Sequence, residues 1–191
     1  MRRLHLAAAT AATALALVLT GCATPEPGPT PAASALLAEH DLDDLSTMEL
    51  INKLDQMRVI DRPTEFIASV RPDALLITDG VHEESFAMPE EVTYVSVAPF
   101  VEQTHDCYFH SLTTCRGELS GQQIDVRILD AASGATLVDE STTTFDNGFA
   151  GFWLPRDITG TIEVTYDGKT GSTPFSTATG AASCITTLRL T

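Results

Sequence analysis

The chain has 191 residues, of which 26 are acidic and 11 basic, a formal net charge of −15. That excess of negative charge is repelled by nucleic acid and by anionic lipid headgroups, which argues against both as binding partners. With 43% hydrophobic and 19% charged residues, the composition is that of a globular chain, long enough for one good core or two small ones.

Residues 1–21 read as a lipoprotein signal peptide. Arg2 and Arg3 supply the positive start, and Leu6 to Val18 is an apolar run too short and small-sided for a membrane span. It ends in Leu19-Thr20-Gly21-Cys22, which resembles the lipobox of bacterial lipoproteins. Cleavage before Cys22 and lipidation of its sulfur would anchor the exported chain to a membrane surface. The plainer alternative is an ordinary secretory cleavage site with a cysteine nearby. The signal carries two of the eleven basic residues and none of the acidic ones, so the exported part is still more acidic. Residues 22–33 follow as a Pro-rich tether, in which Pro25, Pro27, Pro29 and Pro31 prevent helix and sheet.

Residues 34–73 read as helical. A short helix is expected over Ala33–Glu39, and Ser46-Thr47-Met48-Glu49 fits a capping box. Leu50, Ile51, Leu54 and Met57 then fall on one helical face. A third helix is expected from Pro63 to Val70, ended by Pro72.

From residue 74 to 191 the pattern changes to short runs rich in Val, Ile, Thr and Phe. Strands are predicted over Leu75–Thr78, Glu84–Met88, Val92–Ala98, Ile124–Asp130, Ala135–Thr143, Phe149–Leu154, Thr161–Tyr166, Ser172–Thr177 and Cys184–Leu190. Ser133-Gly134, Asn147-Gly148 and Asp167-Gly168 supply turn residues between them. The expected fold class is α+β: a small N-terminal helical region followed by a Greek-key β-sandwich of transthyretin-like or immunoglobulin-like type. Trp153, the single tryptophan, is expected in the sandwich core.

Cysteine arithmetic narrows the chemistry. Four cysteines less Cys22 leave Cys107, Cys115 and Cys184, an odd number for an exported chain, where thiols normally pair. Cys107 and Cys115 lie in Thr104-His105-Asp106-Cys107-Tyr108-Phe109-His110-Ser111-Leu112-Thr113-Thr114-Cys115, together with His105 and His110. In an extended segment His105 and Cys107 share a face, and eight residues suffice for a loop that returns Cys115 to Cys107. Cys184 opens the last predicted strand. Three thiolates are soft donors that favour Cu(I), with zinc as runner-up if a histidine completes four ligands. His105 and His110 are candidates for the first shell or for lowering the thiol pKa values. The bland alternative is a structural cell-surface module with a Cys107–Cys115 disulfide, a buried Cys184 and no metal. A third reading is a thiol-based Cu(II) reductase or redox protein. No nucleophile elbow, Walker loop or His-Glu-x-x-His is present, so hydrolase chemistry has no support.

Tyr94-Val95-Ser96-Val97-Ala98-Pro99-Phe100, the block Thr104–Leu119, Asn147-Gly148-Phe149, Trp153-Leu154-Pro155-Arg156-Asp157 and Cys184-Ile185-Thr186-Thr187-Leu188 together closely resemble the CueP family of exported bacterial copper-binding proteins. The resemblance covers most of the chain from about residue 35. It implies copper as the bound ion, with the three liganding cysteines falling on Cys107, Cys115 and Cys184. It also implies a role in copper tolerance or supply outside the cytoplasm, with an exported cuproprotein as recipient, and dimerisation. The lipid anchor rests on the lipobox alone.

Overall fold

The structure is a computed structural model that describes residues 31–191. The signal peptide, the lipobox with Cys22 and nearly all of the tether lie outside the described residues. Two helices open the fold, α1 (Pro31–Ala38) and α2 (Thr47–Gln56). The capping box is formed: the Glu49 amide donates to Ser46 Oγ, and the Ser46 amide donates to the Glu49 carboxylate at 2.9 Å. The apolar stripe Leu50, Ile51 and Leu54 is fully buried, and so is the charged Asp55 beside it. No helix among the described residues is long and apolar enough to cross a membrane.

The third expected helix does not form. Val59–Asp61 makes a single 3₁₀ turn, and Ile67–Val70 is strand β1. Phe66 and Val70 stand four residues apart, which fits a helix, but Ala68 and Val70 also alternate inward as in a strand. Pairing decides between the two periods. β1 runs antiparallel to β2 (Ala74–Thr78), and its other edge bonds the chain around Ser111. Val70 donates to the His110 carbonyl at 2.8 Å, and Leu112 donates to the Ala68 carbonyl at 2.8 Å. Tertiary hydrogen bonds thus override a weak local preference.

β3 (Glu83–Ala87) completes a first sheet in the order β1-β2-β3. A second sheet sets β4 (Val92–Val97) between β7 (Ala150–Pro155) and β10 (Cys184–Ile185), the last pairing parallel to β4. A third has the order β6-β5-β8-β9, from β5 (Gln123–Asp130), β6 (Thr136–Thr143), β8 (Thr159–Tyr166) and β9 (Lys169–Ser176). The protein is thus α+β and mostly β. The last predicted strand is shorter than expected: regular pairing stops at Ile185, and beyond it the chain is held by the Phe100–Arg189 bridge and by reciprocal backbone bonds between Thr191 and Thr170 of β9.

Central strand β4 explains where the cores sit. Val95 and Val97 pack with Ile128, Phe152 and Ile162 in a core between the second and third sheets. Tyr94, on the opposite face, joins Leu50, Ile51, Leu54, Leu75 and Ile77 in a core beneath α2. Buried on both faces, β4 is apolar apart from Thr93 and Ser96. Trp153 is half-buried at the margin of the helical core, its ring 5.0 Å from Tyr94 and its Nε1 donating to Asn52 Oδ1 at 3.0 Å.

Candidate metal centre

The loop between β4 and β5 carries the cluster, and neighbouring strands hold it in place. His110, Ser111 and Leu112 are pinned by the β1 edge, as described above. The Ser183 hydroxyl donates to the Val70 carbonyl at 2.6 Å and accepts from the His110 amide at 3.0 Å. The Ser183 and Cys184 amides both donate to the Tyr108 carbonyl at 3.1 Å. These bonds bring β10, and Cys184 with it, against the loop. The Cys115 amide closes a turn onto the Ser111 carbonyl at 3.1 Å, and Arg62 Nη1 donates to the Cys115 carbonyl at 2.9 Å.

A glycine pair fixes the far end. Gly148 has φ of +80°, and a Cβ there would run into the Gly117 backbone. Gly117 in turn donates to the Asn147 carbonyl at 2.6 Å. Only glycine allows the corner to approach this closely.

Four donors converge. The ligating atoms of His105, Cys107, Cys115 and Cys184 all lie within 4.8 Å of one another. Cys107 and Cys184 are joined as a disulfide across 77 residues of sequence, and Cys115 is the free thiol, its sulfur 3.4 Å from that of Cys107. The structural alternative expects Cys107 to pair with Cys115, whereas in the structure its partner is Cys184. The eight-residue loop does return Cys115 to Cys107, but the buried strand β10 delivers Cys184 to the same sulfur. His105 Nε2 is buried without a hydrogen-bond partner, a nitrogen lone pair or N–H left over beside three sulfurs. Ala98 and Phe149 form the apolar wall. A cavity of about 610 Å³ opens on His105 and Cys115 between Thr104, Thr114 and Arg116.

His110 lies apart from that set but touches it. It is fully buried, its ring 4.4 Å from that of Phe149, with Nδ1 3.8 Å from Cys184 Sγ and Nε2 2.9 Å from Asp55 Oδ1. Asp55 is the buried partner of His110 that sequence reasoning missed. Its carboxylate also accepts from Tyr94 at 2.7 Å, Ser96 at 3.2 Å and Asn147 at 2.7 Å. Burial pushes the Asp55 carboxyl up, but the His110 charge and the hydrogen bonds from His110, Tyr94 and Asn147 more than offset it and hold it below its ordinary value. Burial likewise disfavours a charged His110, yet the Asp55 carboxylate and Cys115 push its pKa up to about 9. The Cys115 thiol is raised by burial and lowered more strongly by His110, the Ser111 amide and Arg62, so it lies below the usual thiol range. A lone acidic residue on an apolar helical face was the available signal, since buried carboxylates almost always have a partner.

Residues 49–189 match the family model of the periplasmic copper-binding protein CueP. The chain belongs to the CueP family. The solved crystal structure of S.CueP is similar to it with a TM-score of 0.79 and 34% sequence identity, over 85% of this chain and 99% of that one. Among curated proteins, none matches the chain.

Proposed function

We propose that this chain is an extracytoplasmic copper-binding protein that holds Cu(I) through the thiolates of Cys107, Cys115 and Cys184, for copper tolerance or for supply to an exported cuproprotein. The observation that carries the reading is the convergence of three sulfurs and the His105 ring within 4.8 Å. Soft sulfur donors favour a soft monovalent ion, for which three sulfurs suffice. Zinc is the competitor, because the same sulfurs with His105 make up a Cys₃His set. The Cys107–Cys184 disulfide is the oxidised form in this account, and two electrons must open it before three thiolates are available. Membrane attachment through a lipid on Cys22 belongs to the same proposal and rests on the lipobox.

The test is anaerobic Cu(I) titration of the reduced protein against a competing chelator, with zinc in parallel and thiols counted by alkylation. One Cu(I) per chain, bound in preference to zinc with three thiols protected, is expected. Replacement of Cys184 by Ser should weaken binding as much as replacement of Cys107 or Cys115. Unchanged affinity in the Cys184 variant would remove the three-thiolate site.

A second reading is favoured by the free Cys115 thiol lying 3.4 Å from a sulfur of the disulfide. From the reduced protein, two thiolates give one electron each to two Cu(II) ions, leaving one disulfide and two Cu(I). Added Cu(II) should then consume two thiols per chain and yield chelatable Cu(I). Thiol loss without Cu(I) leaves a binder only.

A further inference from the structure

Asp55 is not among the metal-donor atoms, yet it is the most heavily partnered side chain beneath them. It lies near the C-terminal end of α2 with no exposed surface. Oδ2 accepts from the Tyr94 and Ser96 hydroxyls, and Oδ1 faces Asn147 Nδ2 and His110 Nε2. A carboxylate with these neighbours only accepts, so His110 Nε2 carries a proton and donates. The orientation of the ring follows. With Nε2 on Asp55, Nδ1 faces Cys184 Sγ at 3.8 Å. Flipping the imidazole would set carbon against both the carboxylate and the sulfur.

The ring has little freedom to do otherwise. One face packs on Phe149, and its backbone amide is tied to Ser183, the residue before Cys184. Buried thiolates beside Ala98 and Phe149 bring negative charge into an apolar wall, where a nitrogen held against sulfur offsets much of the desolvation cost. Carboxylates that orient histidines at metal centres act in this way from outside the ligand set.

We infer that Asp55 is a positioning residue of the thiolate site: through His110 it holds an imidazole nitrogen against the sulfurs, and it ties the strength of metal binding to the docking of α2 on the central sheet. This inference rests on the three-thiolate reading above. A purely structural Asp55, serving only to pin the helix, would predict different behaviour.

The experiment is a double-variant cycle on the reduced full chain, with Cu(I) affinity read by anaerobic chelator competition and folding checked by circular dichroism. Asp55→Asn and His110→Ala should each weaken Cu(I) binding by about 10- to 100-fold, the range typical of lost supporting partners. Because Asp55 acts through His110, the double variant should bind no more weakly than His110→Ala alone. Affinity within twofold of wild type in Asp55→Asn, or losses that multiply in the double variant, would overturn the inference.

If Asp55→Asn does not fold, ring ¹⁵N NMR of the wild-type protein carries the test. His110 Nε2 should hold a slowly exchanging proton, and Nδ1 should shift on Cu(I) loading. A freely exchanging Nε2 proton, or an Nδ1 signal blind to Cu(I), overturns the inference as well. The two readings fail separately: a wild-type chain that does not engage three thiols refutes the thiolate site, whereas normal wild-type binding with an unaffected Asp55→Asn variant refutes only the positioning role.

Discussion

Replacing Tyr94 by Phe removes one atom from the network that anchors α2 to the central sheet. The ring stays, with its packing on Trp153 at 5.0 Å between centroids. What goes is the hydroxyl that donates to Asp55 Oδ2 at 2.7 Å in a site with no exposed surface on the carboxylate. A hydrogen bond to a charged, buried acceptor contributes about 1.5–3 kcal/mol, because its loss leaves the carboxylate without compensation. Asp55 keeps Ser96, Asn147 and His110, so we expect about 2 kcal/mol. For a chain of this size that corresponds to a fall of roughly 4–8 °C in Tm. Urea unfolding of the wild type and Tyr94→Phe should show a lower midpoint with an unchanged slope. Ser96→Ala, which breaks a longer bond of 3.2 Å, should lose less. A change below about 0.5 kcal/mol in Tyr94→Phe, the range of ordinary surface substitutions, would mean that Asp55 is not the ionised, desolvated anchor described above.

Gly151→Ala should disturb the same network from the other strand, because a Cβ there collides with the Tyr94 hydroxyl and ring; overpacking of this kind costs about 1–3 kcal/mol, read by the same urea assay, and full stability would contradict the packing. Acid should destabilise the fold. Asp55, Glu118, Asp130 and Glu65 are all held below their ordinary values, and Asp79 is lowered to about 2, so their contribution is present above the unfolded carboxyl range and is lost as pH falls through the depressed folded values. A stability profile flat from pH 5 down to pH 2 would refute those assignments. Metabolic labelling with a fatty-acid analogue should mark the wild-type chain and spare Cys22→Ala; equal labelling of both would remove the lipid anchor.

Local signals were legible where the chain makes its own bonds. Ser46 and Glu49 announce the start of α2, and the turn glycines Gly134, Gly148 and Gly168 all adopt positive φ between the strands they were expected to separate. β1 was illegible because four residues with inward Ala68 and Val70 fit two periods, and only the distant partners β2 and Ser111 choose between them. The gathering of Cys107, His105 and Cys115 follows from their nearness in sequence, whereas the meeting of Cys184 with Cys107 depends on a parallel pairing of β10 with β4 that no local pattern specifies. Asp55 lies 52 residues before Cys107, on a helix read only for its apolar face. Asn147 is a turn residue by its local pattern, but its side chain also bonds Asp55 in the interior. Polar groups in buried networks are chosen by partners far away in sequence, so the network becomes visible only after the fold is known.

A three-thiolate site requires three sulfurs to meet one ion. X-ray absorption at the copper edge of the reduced, Cu(I)-loaded protein tests this most directly, because it counts the scatterers around the metal. Three sulfurs in the first shell are expected in the wild type, falling to two in the Cys184→Ser variant. A shell of nitrogen and oxygen, or one with two sulfurs that does not change when Cys184 is replaced, would contradict the site.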